Sequence, residues 1–479
     1  MNNRFKHIVI GSGAGGSVVS LELSKKGENV ALVEEGEKFD NSFFKKNNIA
    51  TRTKSLWRNN GLTPILGSPP IAYVEGVALG GTTVSNGGAL ERAQSEILDN
   101  FFTQYNISGY SNDELKKIYE EIETKLFVKK YLEPKNNIDS TNIINLLNKR
   151  NISYKFSSLA HNNCKNSNQC ISGCPTGAKM TDLSLTYIPE ALNNGLSLFT
   201  GSKVVKIFRR NGLYTLKIIK NKKILNLYCE KLYISAGPIQ SPFIILRNGL
   251  HKSAGKKIDF HLNYKIGAFF SEKTNAKKGT IHVIEIDHYS KEEGFSMVPA
   301  NFQNAYFFSS FPNFSNKEIN YMEKEIDHYA MYTVQIKIDG YARIVSAKTP
   351  DPIVHYKLTN NDIHKIKRSL KIFSKLLFDS GAKKLYFSYS GNHIIENLKD
   401  LENFISGFNY KKMSYVCAHA MSACKMSNNS DGIVDDNGNL KNNHNIIVAD
   451  NSILPENIGD SPQLTTMAFV HQIMNKQLN

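Results

Sequence analysis

The sequence predicts an α/β chain, α+β overall, and three observations carry that reading. An apolar strand, a glycine-rich turn and a helical pattern follow one another within the first 26 residues. Alternating apolar and polar residues at 202–207 and 214–219 read as a hairpin. Strand-like runs at 279–286, 305–311 and 331–338 precede a helical run at 361–378.

The first element is the most specific. His7 to Ile10 is an apolar strand, and Gly11-Ser12-Gly13-Ala14-Gly15-Gly16 leads into a helix that ends at Gly27. Val30 to Val33 forms a second strand and delivers Glu34. Gly11 makes the tight turn, Gly13 lets backbone approach a pyrophosphate, and Gly16 lets helix and strand pack closely. The helix start offers N–H donors and its dipole to phosphate, and Glu34 is placed to accept from a ribose diol. This is a Rossmann-like dinucleotide turn. By itself it does not choose between NAD and FAD.

Further along, 113–126 and 140–149 repeat apolar residues at helical spacing and read as helices. Residues 164–174 space three cysteines as C-x5-C-x3-C, followed by Pro175. Thiolates on a short polar loop can converge on a soft metal.

Composition narrows the function classes. The 479 residues carry a net charge of +16, but the lysines are scattered, with no tract of five or six like charges and no aromatic interleaving. That argues against a nucleic-acid binder. The charge reads as compositional bias, or as a surface that steers an anionic substrate, an acidic partner or an anionic membrane. There is no transmembrane segment and no signal-peptide core, so a cytoplasmic location is expected unless a partner carries the chain elsewhere. Six cysteines are too few for a disulfide scaffold.

Three further stretches resemble the glucose–methanol–choline (GMC) oxidoreductases. Residues 76–88, with Gly80-Gly81-Thr82 and Asn86, are similar to the family's first signature. Residues 231–242, with Ala236-Gly237, are similar to its second. Residues 417–426 around His419, 446–455 around Asp450 and 459–468 around Ser461 and Leu464 are similar to its C-terminal segments. The resemblance implies a Rossmann-like FAD-binding domain made of discontinuous pieces (1–100, 180–255 and 412–479). A cap with the cysteine loop (101–179) and an antiparallel-sheet substrate domain (256–411) complete the chain. It implies non-covalent FAD, since 76–88 contains no His or Cys, with Gly11, Gly13, Gly16, Glu34, Gly80, Gly81, Thr82, Asn86, Val205, Ala236, Gly237, Asp450 and Leu464 around the cofactor.

The resemblance also implies oxidation of an alcohol, with a sugar or polyol favoured, and hydride transfer to flavin N5. His419 matches the base, a role suited to an imidazole. Ser461 departs from the family, which has His or Asn there, and serine both donates and accepts. The cysteine loop is similar to that of the iron–sulfur members, implying a 3Fe-4S cluster on Cys164, Cys170 and Cys174 that passes electrons to an acceptor protein such as a cytochrome or small subunit. A cluster-free FAD oxidase and a catalytically weak flavin-binding protein stay open. His282, His288, His328 and Tyr332 are polar candidates on the substrate side.

Overall fold

Buried strands need apolar residues on both faces, and segments from both ends of the chain supply them. Ile8 to Ile10, Val30 to Val33 and Ile446 to Val448 are all at most 4% exposed. They form the centre of a parallel sheet, as such continuous apolar runs should. In this computed structural model, which describes residues 3–61, 63–131, 138–278, 281–391 and 393–478, the strand Arg4–Ile10 lies between Val30–Val33 and Lys223–Ile234. Ser197–Phe199 and Asn443–Val448 flank those, all in parallel register. The helix Ala14–Lys25 covers one face and packs against the closing helix Gln463–Leu478.

Ser202–Arg210 and Leu213–Lys220 form the expected hairpin, and Lys223–Ile234 extends it into the parallel sheet. Both connecting turns have two consecutive residues with positive φ: Asn211 (51°) with Gly212 (81°), and Asn221 (49°) with Lys222 (62°). Such turns match the right-handed twist of the strands they join.

A second sheet stands opposite. Its order is Phe295–Pro299, Tyr329–Lys337, Asp259–Phe270, Val416–Met421, Ile71–Tyr73 and Thr63–Ile65, with Ala382–Phe387 and Ile394–Ile395 attached through Asp259–Phe270. All but one of these ladders are antiparallel, the exception being Val416–Met421 against Ile71–Tyr73. The helix Asn360–Asp379 backs it, burying Ile366, Leu370, Phe373 and Leu377 on one stripe. Asp259–Phe270 alternates accordingly. Phe260, Leu262, Tyr264 and Ile266 join the core under that helix, where Tyr264 Oη meets Ser369 Oγ at 2.9 Å.

Two expected strands need correction. Residues 305–311 are not a strand: Asn304–Ser309 is a helix. Its aromatic sequence suggested β structure, but Phe307 on the helix and Phe311 just past its end pack against each other in the core, so tertiary packing overrides propensity. Of 279–286, only Ile284–Glu285 is a strand, and residues 279 and 280 lie outside the described residues. No helix among the described residues is long and apolar enough to cross a membrane.

Candidate active site

A cavity of about 1440 Å³ runs between the two sheets, from the N-terminal glycine turn to His419. Gly11, Gly13, Glu34, Gly81, Thr82, Asn86, Val205, Ala236, Gly237 and Asp450 line it. Gly16, Gly80 and Leu464 do not: they pack behind the wall. A Cβ on Gly16 would fall 1.9 Å from the Gly11 carbonyl oxygen, so this glycine is required by helix–strand contact. Leu464 is fully buried in the core below the first turn of the closing helix.

At the glycine end, Gly11 has φ +91° and no room for a side chain, since a Cβ would lie 2.4 Å from the Ser235 carbonyl oxygen. Gly13 precedes the helix Ala14–Lys25 and supplies no side-chain cap, so the first-turn N–H groups face the cavity uncapped. Glu34 is buried and accepts from Ser12 N (2.9 Å), Ser12 Oγ (2.6 Å) and Gly36 N (2.7 Å). Burial raises its pKa despite those bonds. Ser12 Oγ also accepts from Gly80 N at 2.8 Å, which ties the 80–86 loop to the first turn. On the far side, Asp450 accepts from Gly237 N (2.9 Å), Ser241 Oγ (2.5 Å) and Ser452 N (2.8 Å). The two glycine loops come close enough that a Cβ on Gly81 would lie 3.0 Å from Gly13 Cα. An elongated cavity walled by backbone at one end fits a dinucleotide, and these residues would hold its pyrophosphate and adenosine.

The other end is built on a bulge. Phe260 pairs with Ala420 and Leu262 with Cys417, so His261 alone faces both Ala418 and His419. An extra residue re-aims the side chain next to it. Here it turns His419 to the cavity while Cys417 and Ala420 stay in the core. His419 Nδ1 lies 3.0 Å from His261 Nδ1, and His261 Nε2 lies 2.5 Å from Asn457 Oδ1. The Asn457 amide is oriented by donating to the Phe260 carbonyl (3.1 Å) and by accepting from Gly459 N (2.9 Å).

This network assigns the protons. Asn457 Oδ1 can only accept, so His261 carries its hydrogen on Nε2. Burial, and then His419, hold His261 far below the usual histidine pKa, so it is neutral and its Nδ1 is an acceptor. His419 must therefore donate from Nδ1. Burial lowers the His419 pKa to about 4, against an opposing pull from Asp460. Its Nε2 is thus a bare acceptor. Ser461 lines the same cavity, and its N–H donates to Asp460 Oδ1 at 2.7 Å. Asp460 pairs with Lys155 at 2.5 Å, and Lys155 also reaches Glu285 at 3.0 Å.

The cysteine loop is organised otherwise than expected. Among the described residues, no three His, Cys, Asp or Glu side chains are grouped to hold a metal. Cys164, Cys170 and Cys174, expected to hold a 3Fe-4S cluster, form no such group as placed, and the cluster finds no support here. Cys170 is buried, which pushes its thiol pKa up to about 12, and Cys174 Sγ sits 3.2 Å from Thr176 Oγ1. The loop is held by cations. Arg52 donates to Gln169 Oε1 at 2.6 Å. The fully buried Lys179 donates to the carbonyls of Val84 (2.6 Å), Cys170 (3.0 Å) and Asn86 (3.1 Å). Lys179 therefore clamps the cysteine loop to the 80–86 loop. In the sequence it is one lysine among many, and His261 and Asn457 carry no motif at all.

Of the substrate-side candidates, His282 lines the cavity. His288 meets Ser153 near the surface, His328 Nδ1 lies 3.2 Å from the Phe270 carbonyl, and Tyr332 is in the core.

A parallel sheet with a glycine turn, facing an antiparallel sheet with an imidazole, is the frame of an FAD-dependent oxidoreductase. Family models described as GMC oxidoreductase match residues 5–263 and 338–469, and the chain belongs to that family. Its relatives include a GMC-type oxidoreductase of Sinorhizobium fredii, 28% identical over 98% of this chain and 94% of that one. A long-chain-alcohol oxidase of Arabidopsis thaliana is 23% identical over 98% of this chain and 66% of its own length. Among solved structures, pyridoxine 4-oxidase from Mesorbium loti aligns with a TM-score of 0.70 at 14% identity, covering 98% of this chain and 99% of that one. Formate oxidase of Aspergillus oryzae aligns at 0.74 and 11%, covering 99% and 98%. At those identities the likeness shows the fold.

Proposed function

We propose that this protein oxidises the CH–OH group of an alcohol by hydride transfer to non-covalent FAD, with His419 as the base and no iron–sulfur relay. The observation that carries the reading is the Asn457–His261–His419 chain, which leaves His419 Nε2 as an acceptor at the cavity. When bound, FAD supplies N5 as the acceptor of the carbinol hydride with its two electrons. The hydroxyl proton passes to His419 Nε2 as the carbonyl forms, and the Asp460 carboxylate favours the resulting imidazolium. Ser461 can donate or accept at the substrate oxygen beside it.

The alcohol oxidases among the relatives support a CH–OH donor, and the arrangement of the thiols supports electrons leaving the flavin directly to oxygen or a diffusible acceptor. The test is an anaerobic screen of alcohols for bleaching of the flavin. His419→Ala is expected to retain FAD and lose bleaching. Wild-type reduction kinetics in that variant would remove His419 from the role. Purified protein is expected to show flavin bands alone and negligible iron; stoichiometric iron lost on Cys170→Ser would restore the cluster.

A further inference from the structure

The strand Asp259–Phe270 turns His261, Asn263 and Lys265 toward the active-site side at every second residue. His261 supports the base. Lys265 follows four residues on, about 13 Å along the strand at roughly 3.3 Å per residue, and lines the cavity together with Asn263. Its ammonium donates to Thr333 Oγ1 and sits 5.4 Å from the centre of the Tyr306 ring. Both partners are neutral, and among the described residues Lys265 makes no ion pair. Lys155, also near the base, is by contrast matched by Asp460 and Glu285. A part-buried ammonium with no counter-charge is costly, so this end of the cavity is set for an anion.

Two further polar residues, Asn263 and His282, line the same chamber. Asn263 Oδ1 is buried with no hydrogen bond. His282 Nδ1 faces the Pro299 carbonyl at 3.3 Å, so it donates there and leaves Nε2 bare. Burial, then the Lys265 charge, lower the His282 pKa to about 4, which keeps that ring neutral and places the ammonium within electrostatic range of it. The His282 ring packs on Gly87, where a Cβ would come within 2.8 Å of it, so it borders the 80–87 loop.

We propose that the substrate is an alcohol that also carries an anionic group, carboxylate or phosphate, held by Lys265 and by the Thr333 hydroxyl. A further hydroxyl donates to His282 Nε2 while the reacting one faces His419. The net charge of +16 assists the approach of such a molecule. The inference rests on the alcohol-oxidising reading of the site, but its test does not need turnover.

Isothermal titration of the FAD-loaded protein with butyrate, butyl phosphate and butyramide separates the possibilities. At least one anion is expected to bind roughly tenfold tighter than the amide, and the tighter of the two names the group. Lys265→Met is expected to bring that ratio to about one with FAD retained, and Lys265→Arg to preserve it. Equal binding of amide and anions, no measurable binding of either anion, survival of the ratio in Lys265→Met, or loss of FAD from that variant each overturn the proposal. A flavin that no alcohol bleaches, in a protein that still discriminates the anion through Lys265, refutes alcohol oxidation instead.

Discussion

The proton on His419 is fixed by a residue that never touches substrate. Without His261, the Nδ1–H of His419 loses its acceptor, and the ring can adopt the other tautomer or turn away. His261→Leu is expected to keep FAD and slow anaerobic flavin reduction by about 10²–10³-fold, within the range of general-base effects. Asn457→Asp is more diagnostic. A carboxylate at His261 Nε2 draws a proton onto His261, whose Nδ1–H then donates to His419 and forces the opposite tautomer. The rate should fall and the acid limb of its pH profile should move. In the native protein that limb is expected near 4, because burial lowers the His419 pKa to about 4 and the ring is protonated below it. An unchanged profile in Asn457→Asp would remove the tautomer argument, whereas a merely structural role predicts lost stability with the profile intact.

At the scale of elements, the loop at 80–87 is the joint between cofactor and base. It is held from one side by Ser12 through the Gly80 N–H and from the other by Lys179 through two of its carbonyls. Asn86 closes it, donating to Gln463 Oε1 at 2.5 Å and accepting from Thr181 Oγ1 at 2.8 Å. Lys179→Met leaves three carbonyls without their donor, at a cost of about 1–3 kcal/mol for each buried group so stranded. The expected outcome is a lower ratio of flavin to protein absorbance and a lower melting temperature; full FAD occupancy would show that the clamp is dispensable. Elements like the glycine turn, the 202–220 hairpin and the 361–378 helix were legible because local rules define them: φ > 0 glycines, period-two alternation, a period-3.6 stripe. The 305–311 segment was not, since its aromatics suit a strand and only the surrounding core selects a helix. His261, Asn457 and Lys179 were invisible for a related reason. Each acts across 90 or more residues of sequence, through contacts that exist only once the sheets face each other. The cysteine spacing left the loop's role open because spacing permits convergence without compelling it; in the fold, cations anchor that loop.

Across the whole molecule, burial of neutral imidazoles links folding to pH. His7, His161, His282, His419 and His471 each have a pKa lowered from 6.5 to about 4, with burial the largest cause in every case. A depressed pKa means the unfolded chain takes up the proton first. These groups therefore cost nothing above pH 6.5, and each withdraws up to about 1.4 kcal/mol of stability per pH unit as pH falls from 6.5 toward 4. Some lie in the FAD cavity and others do not: His471 is on the closing helix, 3.4 Å from Tyr187 Oη, and His7 is in the first strand. Acid loss of stability should thus persist whether or not the cofactor is bound. Melting temperature measured from pH 7.5 to 4.5 is expected to fall steeply below 6.5, with a shallower slope in His471→Gln by about one proton's worth. A flat profile through that window would mean that these rings are hydrated or charged in the folded protein, and with that the neutral His419 on which the chemistry depends would be lost as well.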